Sequence, residues 1–184
     1  MALKTFHRGV RDAKIASWTS ENSWGTAYDV YGIRNATLSW TIDTDQAGGD
    51  DAILDRYSEI VAAQLDFEQA AVDLEVLEML SGGTLVSNAA YEDLVIGLES
   101  QSIPYVGFAV RVVASDAGKD VQFLVPKAKI SGNLQFRAQY QQYLFPGAQF
   151  EGVREGATNG ILRMRKFTAA TALEIPLRTS TGGL

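Results

Sequence analysis

The sequence has no cysteine and a single histidine, His7, and these two shortages exclude several kinds of site. Without cysteine the chain has no disulfides, no thiolate nucleophile and no cysteine–zinc site. One histidine does not make a two-histidine metal site, and no Gly-x-Ser-x-Gly nucleophile elbow is present in the sequence. We therefore expect no catalytic residue, no metal site and no cofactor, and we expect that the protein is not an enzyme.

Long apolar runs are also missing. No apolar stretch reaches the ~18 residues that a membrane-spanning helix needs. Residues 1–8 contain charges, but they are not followed by the apolar region of a secretory signal peptide. These absences favour synthesis in the cytoplasm and no membrane partner. The 184 residues, 46% apolar and 21% charged, fit a single domain over residues 1–184. Terminal segments 1–10 and 176–184 are predicted to be arms that become ordered on assembly.

Basic residues are scarce in the first half of the chain. Residues 1–100 contain 17 acids and 6 bases, whereas residues 101–184 contain 5 acids and 10 bases. Between Asp43 and Glu78, eleven acids accompany one base, Arg56. A solvated surface with internal ion pairs explains this pattern. A surface that repels a polyanion, or that meets a basic partner surface, explains it equally.

Alternating apolar and polar residues predict a mainly β protein with a sandwich or barrel core. Residues 134–140 alternate clearly, and residues 105–113 and 121–130 are predicted to form a hairpin around 115–119. Further strands are predicted at 28–33, 35–43, 57–69 and 161–168, and turns at 47–50, 81–83, 145–147 and 156–160. Spacing of this kind is typical of sandwiches and barrels.

One segment favours a helix instead. Residues 72–81 are rich in strong helix formers and are followed by Gly82 and Gly83, a typical C-terminal cap. Acids near its start suit the helix dipole. We predict a short helix over about residues 72–81, lying against the sheet.

Paired acids raise the question of a carboxylate site. The loop at 43–51 has acids at the first and third positions of a calcium loop and Gly48 at the sixth. It has Ala47 at the fifth position and Leu54 at the twelfth, where ligands belong, so it is interpreted as an acidic hairpin loop. Asp66 and Glu68 would share one face of a strand, but acids are so abundant that this spacing does not indicate a glycosidase pair.

The order of these segments resembles the major tail, or tail tube, proteins of long-tailed bacteriophages. The stretches that carry the resemblance are residues 6–14, 48–59, 65–68, 74–84, 104–107, 123–130 and 150–153. They include the glycine-rich end of the predicted helix and the Pro-Lys-Ala-Lys segment at 126–129. The resemblance spans roughly residues 6–170.

The resemblance implies a structural virion protein whose subunits form hexameric rings that stack into a tube. Four strands from each subunit would close a shared inner barrel of 24 strands, with a backbone radius of roughly 26 Å. The implied partners are other copies of the chain, a tape measure protein inside the tube, and tail terminator and distal tail proteins at its ends. Double-stranded DNA would pass through without specific binding, and the protein would belong to the phage tail, assembled in the host cytoplasm.

The resemblance implies that the acids keep DNA from adhering to the channel wall. A basic wall would bind DNA by releasing counterions, and an acidic wall would not. The candidate acids, for the channel wall or for the interface between rings, are Asp43, Asp45, Asp50, Asp51, Asp55, Glu59, Asp66 and Glu68. The candidate complementary basic surface comprises Lys127, Lys129, Arg163, Arg165 and Lys166. Alternation does not say which strand face points into the channel.

Three alternative functions remain open at this point. A ring-forming tail adaptor, such as a distal tail or tail-completion protein, and the tube protein of a contractile system share the expected fold type. A carbohydrate-binding β-sandwich is the third alternative, with Trp18, Trp24 and Trp40 as stacking platforms. Packing of these aromatic residues in the core or in subunit interfaces explains them equally.

Overall fold

The computed structural model describes residues 7–49, 52–69, 73–97, 101–114, 120–132, 134–137, 145–156, 160–167 and 171–177. The chain is mainly β, as predicted. The strands are β1 His7–Ser20, β2 Ser23–Asp29, β3 Ile33–Gly49, β4 Ala52–Gln69, β5 Thr84–Ser87, β6 Glu92–Val95, β7 Val106–Ala114, β8 Asp120–Ile130, β9 Gln135–Arg137, β10 Phe145–Gly152 and β11 Arg163–Lys166, and the helix is α1 Leu74–Ser81.

Nine strands form one antiparallel sheet in the order β2-β1-β7-β8-β10-β4-β3, with β11 beside β8 and β9 beside β10. β5 and β6 form a separate two-stranded sheet. The sheet folds back on itself, so that β3 and β4 face β1, β7 and β8 across a narrow apolar cavity of about 140 Å³. The described strands do not close into a barrel, since β2 and β3 end the order of the sheet.

The core lies between these two layers. The rings of Phe67, Phe108 and Phe150, from β4, β7 and β10, meet with centroids 5.0–5.5 Å apart. Each of these side chains is at most 3% exposed. The packing of these three rings therefore holds the layer of β4 and β10 against the layer of β7.

A second, smaller cluster lies on the opposite face of β7 and β8. Leu173 and Leu177, from the segment 171–177, pack there on Ala109 and Leu124. β8 is thus covered on both faces, which explains its nearly continuous burial.

The helix begins and ends as its sequence predicts. The side chain of Asp73 accepts hydrogen bonds from the backbone N–H groups of Glu75 (3.0 Å) and Val76 (3.4 Å), and Gly82 adopts the left-handed conformation of a C-terminal cap. Val76, Leu77 and Leu80 face the main core. The helix therefore packs on the main core and contacts β1, β5 and β6.

Replacing Asp73 with alanine is expected to lower the free energy of unfolding by about 1 kcal/mol, because the first turn of α1 loses its side-chain acceptor. Asp73→Asn keeps an acceptor and is expected to stay close to the original protein. Urea unfolding curves of the two variants measure the difference. An equal loss in both variants would assign the effect to the charge of Asp73 and not to its hydrogen bonds.

Most predicted elements are confirmed, but the strand at 28–33 and the turns at 47–50 and 145–147 are wrong. Residues 43–49 of the predicted acidic loop are instead the end of β3, paired with β4. β7 and β8 are the predicted hairpin partners, and the predicted strands at 35–43 and 57–69 lie inside β3 and β4. The predicted strand at 28–33 spans instead the end of β2 and a turn, in which Gly32 has a φ of +67°. The predicted turn at 145–147 is the start of β10, where Pro146 is only the second residue of the strand and proline is tolerated.

The predicted arms lie only partly within the described residues. Residues 7–10 belong to β1, which pairs with β7. Leu177 is 2% exposed in the second cluster. Residues 1–6 and 178–184 lie outside the described part of the chain.

Candidate functional site

The longest feature of the molecule is the β3–β4 hairpin, and its outer half stands away from the core. Side chains of residues 40–46 and 56–61 are all exposed, whereas those of residues 62–69 alternate between partly and fully buried apart from Glu68. We call residues 41–46 and 56–61 the arm. At about 3.3 Å per residue, the arm extends roughly 20 Å beyond the packed part of the hairpin.

The two faces of the hairpin differ in chemistry. Cross-strand partners lie on the same face of an antiparallel pair, so the pairing of β3 with β4 assigns each residue to a face. One face is formed by the pairs Asn35–Glu68, Thr37–Asp66, Ser39–Gln64, Thr41–Ala62, Asp43–Glu59 and Asp45–Tyr57. This face, which we call the acidic face, has five carboxylates and no lysine or arginine among these pairs.

The opposite face begins in the core and continues onto the arm. Its pairs are Ala36–Phe67, Leu38–Leu65, Trp40–Ala63, Ile42–Ile60, Thr44–Ser58 and Gln46–Arg56. Phe67 and Leu65 are each 3% exposed, whereas Ile42 is 56% and Ile60 47% exposed. The same face is therefore a core surface at one end of the hairpin and a half-exposed apolar surface at the other, where Trp40 and Ile60 line a cavity with Ile161 and Leu162. We call its outer part, from Trp40 onward, the apolar arm face.

A β-bulge at Val61 produces this division. Thr41 pairs with Ala62, and the next residue, Ile42, pairs with Ile60, so Val61 is the extra residue. Without the bulge, strict alternation from Asp66 would place Glu59 and Tyr57 on the apolar side. Two hydrogen bonds support the assignment: Thr44 and Ser58 share one at 3.0 Å on the apolar arm face, and the Tyr57 hydroxyl donates to Glu59 Oε2 at 3.1 Å on the acidic face.

Five of the eight predicted acids thus lie together. Asp43, Asp45, Glu59, Asp66 and Glu68 are on the acidic face, and the predicted shared face of Asp66 and Glu68 is confirmed by their pairing. The backbone of Asp55 is in β4, but its side chain lies outside the described part. Asp50 and Asp51 lie outside the described residues.

The acidic face continues onto the neighbouring strand. In β10, Gln149 pairs with Asp66 and Glu151 pairs with Gln64. On the other side of β10, Glu151 pairs with Lys129 of β8. The acidic region therefore ends at a basic residue where the sheet passes from β10 to β8. Among the residues that the structure describes, no group of three or more carboxylates or histidines is arranged to hold a metal ion.

The predicted basic residues form two separate groups. Lys127 lies 3.9 Å above the Trp18 ring and 4.5 Å from the Tyr105 ring centroid, and Lys129 lies 5.3 Å from Tyr105. Arg163 and Arg165 share a face of β11 as predicted, and Arg165 donates to the carbonyl oxygen of Leu177 at 3.0 Å. Both groups contact their own chain, and Lys166 lies on the opposite face of β11 from Arg163 and Arg165, so the five residues do not share one face.

The three tryptophans do not make a common platform. Trp18 and Trp24 are cross-strand partners in β1 and β2, whereas Trp40 is at the root of the arm. The indole N–H of Trp18 donates to Glu155 Oε1 at 3.0 Å, and that of Trp24 donates to the Pro126 carbonyl at 2.8 Å. These bonds explain two of the tryptophans as packing residues.

Sequence reasoning missed the apolar arm face. Trp40, Ile42, Ile60 and Val61 are apolar and were assigned to half-buried strands, but the structure leaves them 43–56% exposed. The adjacent apolar pair Ile60-Val61 interrupts the alternation of β4. That interruption is the sequence signal of the bulge, and it also marks where the arm leaves the core.

No protein-family model and no curated protein sequence matches the chain. Among solved structures, it is similar to a chain of the "Tail of empty GTA particle computed with helical refinement, C6 symmetry". The two chains share 14% sequence identity with a TM-score of 0.43, and the similarity covers 86% of this chain and 95% of that chain. Within the described residues, no helix is long and apolar enough to cross a membrane.

Proposed function

We propose that this chain is a structural, non-catalytic subunit of the tail tube of a long-tailed bacteriophage. Copies would form hexameric rings, and the rings would stack around a channel for DNA. The observation that carries the proposal is the β3–β4 hairpin, with one face buried by the subunit's own core and the other acidic. The segment order that resembles tail tube proteins supports the same function.

The buried face of the hairpin excludes one of its two surfaces from a channel wall. Ala63, Leu65 and Phe67 point into the subunit's own core, so they are unavailable to the channel. The side chains that alternate with them, Gln64, Asp66 and Glu68, face away from the subunit body. In a ring built with this layer innermost, the acidic face is the channel wall.

Strand number and direction support closure of such a ring. β3, β4, β10 and β9 are successive antiparallel neighbours, and β3 and β9 each have one partner among the described strands. With an even number of strands, β9 of one copy runs antiparallel to β3 of the next. Six copies would join these edges into a 24-stranded barrel of roughly 26 Å backbone radius, which leaves room for a DNA duplex. Closure would also remove exposed strand edges.

The charge of the wall would determine how DNA moves. Duplex DNA has one negative charge per about 1.7 Å, and it binds basic surfaces by releasing counterions. A wall of carboxylates offers no such gain and repels phosphates within a Debye length, about 8 Å at physiological salt. DNA would therefore pass without adhering. The other partners would be a tape measure protein, which occupies the tube before ejection, and terminator and distal tail proteins at the two ends of the tube. The tail would be part of the virion and would be assembled in the host cytoplasm.

Negative-stain electron microscopy of the purified protein tests the proposal directly. We expect hollow tubes or six-membered rings, because both strand edges are open for pairing. A monomer that persists at high protein concentration and physiological salt would overturn the proposed assembly. Six-membered rings that never stack would instead favour a tail adaptor.

Lysine substitution on the acidic face tests its role. Asp66→Lys combined with Glu68→Lys is expected to leave tubes intact but to make them retain double-stranded DNA, since phosphates gain cationic partners on the wall. The measurement is DNA retained by pelleted tubes between 50 and about 200 mM salt, the range over which such binding weakens strongly.

The matched control is Glu21→Lys combined with Glu75→Lys, which makes the same charge change at exposed sites away from the hairpin. Retention by both variants would show a nonspecific charge effect. Failure of only the Asp66/Glu68 variant to form tubes would place these acids in an interface between subunits and would contradict the channel-wall role.

A further inference from the structure

The narrow cavity between the two layers of the folded sheet has an apolar floor. The floor comes from β7 and β8, where Phe108 pairs with Val125 and Val110 pairs with Phe123. Cross-strand partners lie on the same face of an antiparallel pair, so these four side chains form one surface. Val112 lies two residues after Val110 and extends this surface.

The roof of the cavity comes from β3 and β4. Leu38 and Leu65 are cross-strand partners there, and Ala36 lies two residues before Leu38 on the same face. Val10 of β1 pairs with Val112 and completes the lining. The described residues around the cavity are therefore all valine, leucine, alanine or phenylalanine.

Short side chains account for the empty space. The side chain of Ala36 is a methyl group, and its cross-strand partner Phe67 packs with its ring on Phe108 and Phe150. A volume of about 140 Å³ is left between the layers. Protein interiors contain few voids larger than a water molecule, so a space of this size is unusual.

One part of the lining is buried and another part reaches the surface. Leu65, Phe108 and Val125 are at most 3% exposed. The remaining lining includes partly exposed side chains, those of Val10, Ala36, Leu38, Val112 and Phe123. A small molecule therefore has a way into the cavity that does not require the subunit to unfold.

The apolar lining determines what the cavity can hold. A buried water molecule needs about two to four polar partners, which these side chains do not supply. An apolar cavity of about 150 Å³ stays dry and binds benzene or xenon. The volume and the lining of this cavity match that case.

We propose that the cavity is a binding site for a small, uncharged apolar molecule of about the size of benzene. Phe108 and Phe123 offer aromatic rings to such a guest, and the valine, leucine and alanine side chains offer methyl groups. A polar molecule of the same size is excluded, because it gives up its hydration without gaining a hydrogen-bond partner. The site belongs to the single subunit, so it does not depend on the proposed assembly into tubes.

Headspace gas chromatography over a solution of the full chain measures bound benzene, whether the chain is monomeric or assembled. We expect saturable binding of one benzene per chain, with half-saturation at roughly millimolar benzene. Pyridine is a polar ring of nearly the same size, and it is expected to bind more weakly by roughly tenfold or more. Uptake of benzene that rises with its concentration and does not saturate, or equal binding of the two rings, would contradict the site.

Substitutions in the lining test where the guest binds. Ala36→Leu places a longer side chain in the cavity and is expected to weaken benzene binding by roughly tenfold or more, because guest and side chain compete for the same space. Ala62→Leu is the matched control, since Ala62 is on the acidic face of β4 and pairs with Thr41. It is expected to bind benzene as the original protein does.

A variant with a larger cavity keeps the test open if Ala36→Leu does not fold, which circular dichroism shows. Leu38→Ala enlarges the cavity and is expected to bind p-xylene roughly tenfold more tightly than the original protein does. Equal benzene binding by folded Ala36→Leu and the original protein, or equal p-xylene binding by Leu38→Ala and the original protein, would overturn the site. Each of these outcomes leaves the tube proposal in place, and a failure to form tubes leaves the cavity in place.

Discussion

Phe150→Ala is expected to lower the free energy of unfolding of the isolated subunit by about 3–5 kcal/mol. Phe150 is fully buried, and its ring stacks on Phe67 at 5.5 Å and contacts Phe108 at 5.5 Å. Truncation to alanine loses the stabilisation gained by burying the ring and leaves a cavity between two layers that belong to different parts of the sheet. Because domains of this size are stable by only about 5–15 kcal/mol, the loss is a large share of the total.

Urea unfolding followed by tryptophan fluorescence measures this loss. Tyr31→Ala is the matched control, since Tyr31 is 62% exposed and its removal is expected to change stability by less than about 0.5 kcal/mol. Similar losses in both variants would mean that Phe150 does not hold the layers together. Phe150 also lies between Gln149 and Glu151 in β10, so a loosened core would disturb the acidic face, and tube formation is expected to fail in Phe150→Ala before the subunit unfolds.

The second large effect is expected at Asp120. Its carboxylate accepts hydrogen bonds from Arg111 at 2.6 and 2.8 Å and from the backbone N–H of Thr171 at 3.2 Å, and Asp120 is only 1% exposed. Asp120→Asn keeps the shape of the side chain but removes its charge, which leaves the Arg111 guanidinium without its carboxylate in a mostly buried position. Breaking a buried ion pair from one side costs about 3–5 kcal/mol. We expect about 3 kcal/mol because the Arg111 side chain keeps some contact with water.

A double-mutant cycle separates the pair from its parts. Removing both charges, as in Asp120→Leu with Arg111→Met, is expected to recover most of the stability, since no unpaired charge then remains. The cycle compares the free energies of unfolding, from urea curves, of Asp120→Leu, Arg111→Met and the double variant. A double variant as unstable as the sum of the single variants would show that the two side chains act independently.

The proposed channel wall depends on the acidic face, and the apolar arm face belongs to the same two strands. Val61 keeps them apart along the whole hairpin, so the arm is able to present carboxylates to one side and apolar side chains to the other. Pairing that absorbed Val61 into a regular ladder would place Glu59 and Tyr57 on the apolar side and mix the two sets.

Local patterns in the sequence predicted the elements that depend on local interactions. The helix at 74–81 has its cap residues and its helix formers within eleven consecutive positions, so its limits were predicted within two residues. The β7–β8 hairpin joins strands that are neighbours in the chain. The wrong predictions at 28–33 and 145–147 have a different origin: whether Gly32 turns and whether Pro146 enters a strand depends on distant partners, which local composition does not contain.

The sequence by itself determined that the chain is mainly β, that acids are concentrated in its first half, and that Asp66 and Glu68 share a face, because side chains alternate strictly along a strand. It did not determine which face is buried, since alternation relates residues to one another and not to the core. Only the tertiary structure decided this, by placing Phe67 and Leu65 against Phe108 and Phe150, which lie far away in the chain. The tertiary structure also placed Glu59 on the same face as Asp66, because the extra residue Val61 reverses the alternation of side chains along β4. Only the pairing of β4 with β3 reveals this reversal.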